Sequence, residues 1–158
     1  MAYRVFVSHS THDQGLVMAL ANLLAKYGID VSVAEWYIRA GEPLSSKVKD
    51  QIAQADSVVV VLTRDGLRSK WVQQEVGIAL GKGKLVIPLV EKGTPADELA
   101  ALQGREYIEY DPARPQDSLD RAASYASSLK VSKQQKERAL LVVGGIVAFL
   151  ALLSGTSE

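Results

Sequence analysis

"ADSVVVVLTRDGLRSKWVQQEVGIALGKGKLVIPLV", Ala55 to Val90, decides the fold of this chain. It opens on SVVVVLT, an unbroken apolar run of the kind expected when both faces of a strand are covered. It closes on KLVIPLV, a second such run. Between them, Leu67–Lys84 has helical spacing and reads as one helix. Strand, helix and strand in that order form a parallel βαβ unit.

One residue of that helix breaks its pattern. A helix advances about 100° per residue. With Trp71 at zero, Val72, Val76, Ala79 and Leu80 fall between about 80° and 180°. Lys70, Gln73, Gln74 and Gly81 fall between about 200° and 300°. Glu75 lands at about 40°, with apolar neighbours on both sides and Trp71 one turn earlier. A carboxylate there loses hydration unless a partner or a polar cleft meets it.

Working outward, RVFVS (Arg4–Ser8) and IDVSVA read as strands, and QGLVMALANLLAKYG as a helix closed by Gly28. EWYIRAGEP is a loop broken by Gly41 and Pro43, and LSSKVKDQIAQA is a helix with Leu44, Val48 and Ile52 four apart. TPADELAALQG holds a short helix, EYIEY a weak fifth strand, and QDSLDRAASYASSLK a last amphipathic helix. The expected fold is α/β: a flavodoxin-like three-layer arrangement around a five-stranded parallel sheet. Ligands meet such sheets at the carboxyl ends of the strands. Here those ends are Ser8-His9-Ser10, Glu35-Trp36, Thr63-Arg64-Asp65 and Val90-Glu91. Glu75, on the second turn of its helix, is within reach of that rim.

Composition narrows the chemistry. Among 158 residues, 18 basic and 18 acidic side chains cancel, so no overall field draws the chain to nucleic acid. With no cysteine there is no disulfide framework and no thiolate site. The N-terminus carries no secretory signal pattern. GIALGKGK fails as a phosphate loop: the spacing is wrong, and Gly83 stands where Ser or Thr should hold magnesium. His9, His12 and Asp13 read as loop and capping residues, and no metal site is expected. Ser8 and Ser10 lack a nucleophile elbow.

The C-terminal end differs from the rest. Residues 139–155, ALLVVGGIVAFLALLSG, form a seventeen-residue run without charge, about 25 Å as a helix. It follows a basic segment, 130–138, and precedes a short tail, 156–158. The expectation is a hydrophobic helix anchoring the chain in a membrane by a single C-terminal pass, with basic residues holding the domain on the cytoplasmic side. Gly144 and Ala148 put two small residues on one face of that helix, which permits close pairing.

VFVSHSTHD, AEWYIRAGEPL, the 55–80 segment and LVIPLV resemble, in order and spacing, the blocks of Toll/interleukin receptor (TIR) domains, above all the prokaryotic branch. The resemblance covers roughly Tyr3 to Leu129, giving a domain over 1–129. Its most specific block is Ser69, Trp71 and Glu75, matching S-x-W-x-x-x-E. The resemblance implies an enzyme that cleaves NAD⁺, as substrate, at the nicotinamide–ribose bond, in antiphage or cell-suicide defence. It makes Glu75 the catalytic residue and 35–44 a mobile loop through which copies self-associate. By position, Ser8, His9 and Ser10 then meet the diphosphate, Trp36 stacks on a base, Arg39 reaches a phosphate or a neighbouring chain, and Trp71 walls the cleft. Two other functions fit the same residues: a non-catalytic scaffold that recruits other TIR domains, and a sensor that binds NAD-like ligands without cleaving them.

Overall fold

The computed structural model describes residues 2–33 and 46–155, the side chains of 146–155 excepted. Five strands form one parallel sheet: β1 (Arg4–Ser8), β2 (Asp30–Val33), β3 (Ser57–Leu62), β4 (Leu85–Glu91) and β5 (Ile108–Tyr110), in the order β2-β1-β3-β4-β5. This is the flavodoxin-like order expected from the alternating pattern. Central β3 pairs with β1 from Ser57 opposite Val5 and with β4 from Ser57 opposite Leu85. Every one of its six residues is buried, which is why its sequence shows no polar alternation.

Alternation along the strands sorts their side chains into two cores. Val5, Val7, Val59, Val61, Ile87 and Leu89 face one side, packed against α1 (Gln14–Lys26) and the domain part of α5 (Pro115–Gly155). Phe6, Val58, Val60, Leu62, Val86 and Val90 face the other, packed against α2 (Ser46–Gln54) and α4 (Lys70–Gly81). On β1 this parity sends Val5 and Val7 one way and Phe6 and Ser8 the other.

The single helix expected over Leu67–Lys84 is two. A short α3 (Arg64–Arg68) precedes α4, and Ser69 between them is extended, with φ −77° and ψ 117°. The reason is capping. Ser69 Oγ accepts from Val72 N at 3.3 Å and starts α4, while Thr63 Oγ1 accepts from Gly66 N at 3.1 Å and starts α3. Gly66 permits the tight approach of α3 to β3, because a Cβ there would sit 2.2 Å from the Val61 carbonyl oxygen. At the far end Gly83, with φ +67°, closes α4 through its N–H to Leu80 O at 3.0 Å.

The C-terminal segment departs from expectation in its localisation. The basic stretch 130–138 is helical and continuous with α5, which runs unbroken for 41 residues. Its lysines bind the domain. Lys130 Nζ donates to Tyr27 O (2.9 Å) and Gly28 O (3.1 Å), the free carbonyls at the end of α1. Lys133 Nζ donates to Ala2 O (3.0 Å) and pairs with Asp56 (3.0 Å). The membrane anchor and the cytoplasmic-face localisation expected from 139–155 are overturned. Among the described residues no helix is long and apolar enough to cross a membrane. The uncharged run, seventeen residues at the short end of the spanning range, ends a helix whose preceding turns are charged. The side chains from 146 on, including Ala148, lie outside the described residues.

Candidate active site at the carboxyl ends of the strands

Glu75 lies on the second turn of α4, and its relative exposure is 0%. Neither carboxyl oxygen has a hydrogen-bond partner among the described residues. Burial pushes its pKa up to about 8, opposed by the Ser8 hydroxyl. Ser8 ends β1 on the face packed by α4 and is itself fully buried. Its Oγ bears on the carboxyl without the geometry of a formed hydrogen bond, so it too lacks a partner among the described residues. A carboxyl group and a serine hydroxyl thus stand together in a dehydrated space, each with bonding capacity unused.

A second cluster sits beside this pair. Asp13, 8% exposed, accepts from Ser10 Oγ at 2.7 Å and from Thr63 Oγ1 at 2.6 Å, both on Oδ2. Ser10 Oγ also accepts from His12 N at 3.3 Å, capping the short 3-10 turn Thr11–Asp13. The bonds join the exit of β1 to the exit of β3. His9 is buried between the clusters in sequence; burial lowers its pKa, opposed by a backbone hydrogen bond at Val7 and by the charge of Asp13. The imidazole is therefore held toward its neutral form.

The expected site residues are distributed unevenly. Ser8 stands with Glu75, Ser10 with Asp13 and Thr63, and Trp71 is half-buried one turn before Glu75. Trp36, Arg39 and the whole 35–44 loop lie outside the described residues. The bonding role of Asp13 and Thr63 was not visible in the sequence beyond the capping pattern of STHD. A carboxylate three residues after a serine signals a turn and does not reveal a partner fifty residues away.

An open cleft of about 610 Å³ lies at the same end of the sheet. Arg64, Arg68, Glu91, Lys92, Thr94 and Glu98 line it, and Arg64 reaches Glu91 at 3.6 Å. Glu75 is not among its lining residues. Among the described residues no group of three His, Asp or Glu side chains is placed to hold a metal ion.

The family model for the TIR domain matches residues 5–123. A 2′ cyclic ADP-D-ribose synthase, AbTIR, from Acinetobacter baumannii (strain 1295743) is 28% identical over 102 residues, covering 61% of this chain and 38% of its own. A probable 2′ cyclic ADP-D-ribose synthase, TcpO, from Methanobrevibacter olleyae is 31% identical over 74 residues, covering 46% of this chain and 22% of its own. The chain thus spans well under half the length of these curated relatives. Among solved structures, a metazoan TIR-STING receptor from C. gigas superposes with a TM-score of 0.63 at 22% identity, covering 80% of this chain and 39% of that one. The TIR domain of the Toll-related receptor TRR-2 from Hydra magnipapillata gives 0.57 at 19%, covering 78% and 99%. These two likenesses concern the fold.

Proposed function

The chain belongs to the TIR-domain family, and from that premise we propose that it cleaves NAD⁺ at the nicotinamide–ribose bond, with Glu75 as the catalytic residue. The observation that carries the reading is a fully buried carboxyl without a partner, in the S-x-W-x-x-x-E block of a family whose two relatives above are named as cyclic ADP-ribose synthases. Nicotinamide leaves readily, so the barrier lies in the oxocarbenium-like ribosyl centre. A carboxylate beside that centre stabilises the growing positive charge, and more strongly in a dehydrated pocket than in water. NAD⁺ is the substrate here, with no further cofactor in the scheme.

Each remaining candidate has a place in this reading. Trp71 walls the cleft, Trp36 stacks on a base, and Arg39 reaches a phosphate or a neighbouring chain. His9 and Ser10, with Ser8, border the diphosphate ahead of α1. Copies self-associate through the 35–44 loop. Because Glu75 is sealed from solvent in the single chain, substrate reaches it when association rearranges its surroundings, and activity rises with clustering. The cell-suicide or antiphage role follows from the depletion of NAD⁺ that such an enzyme would cause.

The test is nicotinamide release from NAD⁺ by the full-length chain, free and clustered on beads, beside Glu75→Gln. We expect loss of about a thousandfold or more in the variant. Unchanged release in Glu75→Gln removes the residue from the mechanism. The seal over Glu75 also favours a second reading, a non-catalytic scaffold. It predicts no release at any density, with TIR–TIR binding lost when Gly41 or Pro43 is changed.

A further inference from the structure

We propose that Ser8 is a positioning residue for Glu75, its hydroxyl placed to donate to the carboxylate once Glu75 ionises and so to favour the form the reaction uses. The proposal rests on the NAD⁺-cleaving reading above. The parity of β1 carries it first. Phe6 packs in the core shared with α4, whereas Val5 and Val7 pack on the opposite face. Ser8 shares the parity of Phe6 and therefore meets α4, where Glu75 is buried. Both groups are fully buried, and Ser8 Oγ, Glu75 Oε1 and Glu75 Oε2 all lack a hydrogen-bond partner among the described residues. Facing groups with complementary unused capacity are each other's nearest remedy.

The chemistry has a sign. A hydroxyl donates to a carboxylate more favourably than it engages a neutral carboxyl, so it lowers the proton affinity that burial raises. The charged groups on elements packed against α4 are Lys47, Lys49 and Asp50 of α2, Arg64, Asp65 and Arg68 of α3, and Arg4 and Glu91 at the ends of β1 and β4. Burial and the Ser8 hydroxyl are the two influences resolved at Glu75, and none of these charges joins them. Ser8 has one hydrogen to give. Given to Glu75, it is not available to the NAD⁺ diphosphate, so this assignment replaces the diphosphate contact expected for Ser8 from position alone.

The experiment follows the Glu75 side-chain carboxyl by carbon-13 NMR through a pH titration of the full-length chain, with the signal assigned by its absence in Glu75→Gln. Ser8→Ala should raise the midpoint by about one unit, while Ser8→Thr, which keeps the hydroxyl, should leave it within about 0.3. In parallel, kcat/KM for nicotinamide release should fall about tenfold at pH 7 in Ser8→Ala but less than about twofold at pH 9.5, with KM little changed. A midpoint unmoved in folded Ser8→Ala overturns the proposal. So does a rise in KM at every pH, which would return Ser8 to the diphosphate. If wild type releases no nicotinamide at any pH while the midpoint still moves, the pairing stands and the enzymatic reading falls.

Discussion

Two buried carboxyl groups share one end of the sheet and have opposite surroundings. Asp13 accepts two hydroxyl hydrogens at 2.7 and 2.6 Å, one from its own turn and one from the end of β3. Glu75 is more deeply buried and accepts none among the described residues. Asp13 repays its desolvation by tying the β1 exit to the β3 exit. Glu75 raises the energy of the folded chain and returns no packing benefit that a leucine would not give. Burial alone does not separate structure from chemistry at this rim; the presence or absence of partners does.

The largest effect should come from removing the unpartnered acid. The pKa of Glu75 is raised in the folded chain to about 8 from an ordinary 4.5. Between those values the unfolded chain loses its proton first, so stability falls as pH rises from about 4.5 to about 8 and is level above. Glu75→Gln removes that slope. At pH 9 it should therefore be more stable than wild type by a few kcal/mol, with about 5 as the ceiling, and nearly equal at pH 4. Urea unfolding at pH 4, 7 and 9 measures this. A wild-type slope that survives in Glu75→Gln would mean that the carboxyl is satisfied after all, and the contrast with Asp13 would vanish.

Asp13 should respond in the opposite sense. Asp13→Ala leaves the Ser10 and Thr63 hydroxyls without their acceptor and should lower stability by about 2–3 kcal/mol at pH 7. Asp13→Asn keeps an acceptor oxygen and should lose less than half of that. Thermal unfolding of the two variants is the check. If Asp13→Ala unfolds like wild type, the network is not a strut and the two carboxyl groups differ only in exposure.

Much of this frame could be read from the sequence because each element carries its own signal. The apolar runs of β1 to β4, the weaker EYIEY and the helices between them led to five parallel strands, and the helical spacing of α4 set Glu75 among apolar neighbours. Three features escaped for physical reasons. The break at Ser69 is a hydrogen-bond choice, since a serine inside an amphipathic run serves equally as a helical residue or as a cap. The path of 130–138 was hidden because Lys130 and Lys133 look like solvated charge until the carbonyls of Tyr27, Gly28 and Ala2 come within reach across the fold. At the site, periodicity placed Glu75 inside but could not supply its neighbour. Ser8 and Glu75 are 67 positions apart, and only the β1 register aims one at the other. Asp13 and Thr63 were hidden in the same way.

The smallest expected effect is also the most selective test of the contrast. Thr63 Oγ1 donates to Asp13 and accepts from Gly66 N, so one hydroxyl serves both the strut and the cap of α3. Thr63→Val keeps the volume and the β-branched shape but removes both bonds, and should cost about 1–1.5 kcal/mol. The carboxylate keeps Ser10, so the loss is smaller than in Asp13→Ala. Double-mutant cycles then separate the two acids. Thr63→Val with Asp13→Ala should be non-additive by about 0.5–1 kcal/mol, because both variants break the same bond. Thr63→Val with Glu75→Gln should add within about 0.5 kcal/mol, because no bond joins them. A coupled second cycle would show that the strut reaches the Glu75 carboxyl through α3 and α4, making Asp13 and Glu75 parts of one network.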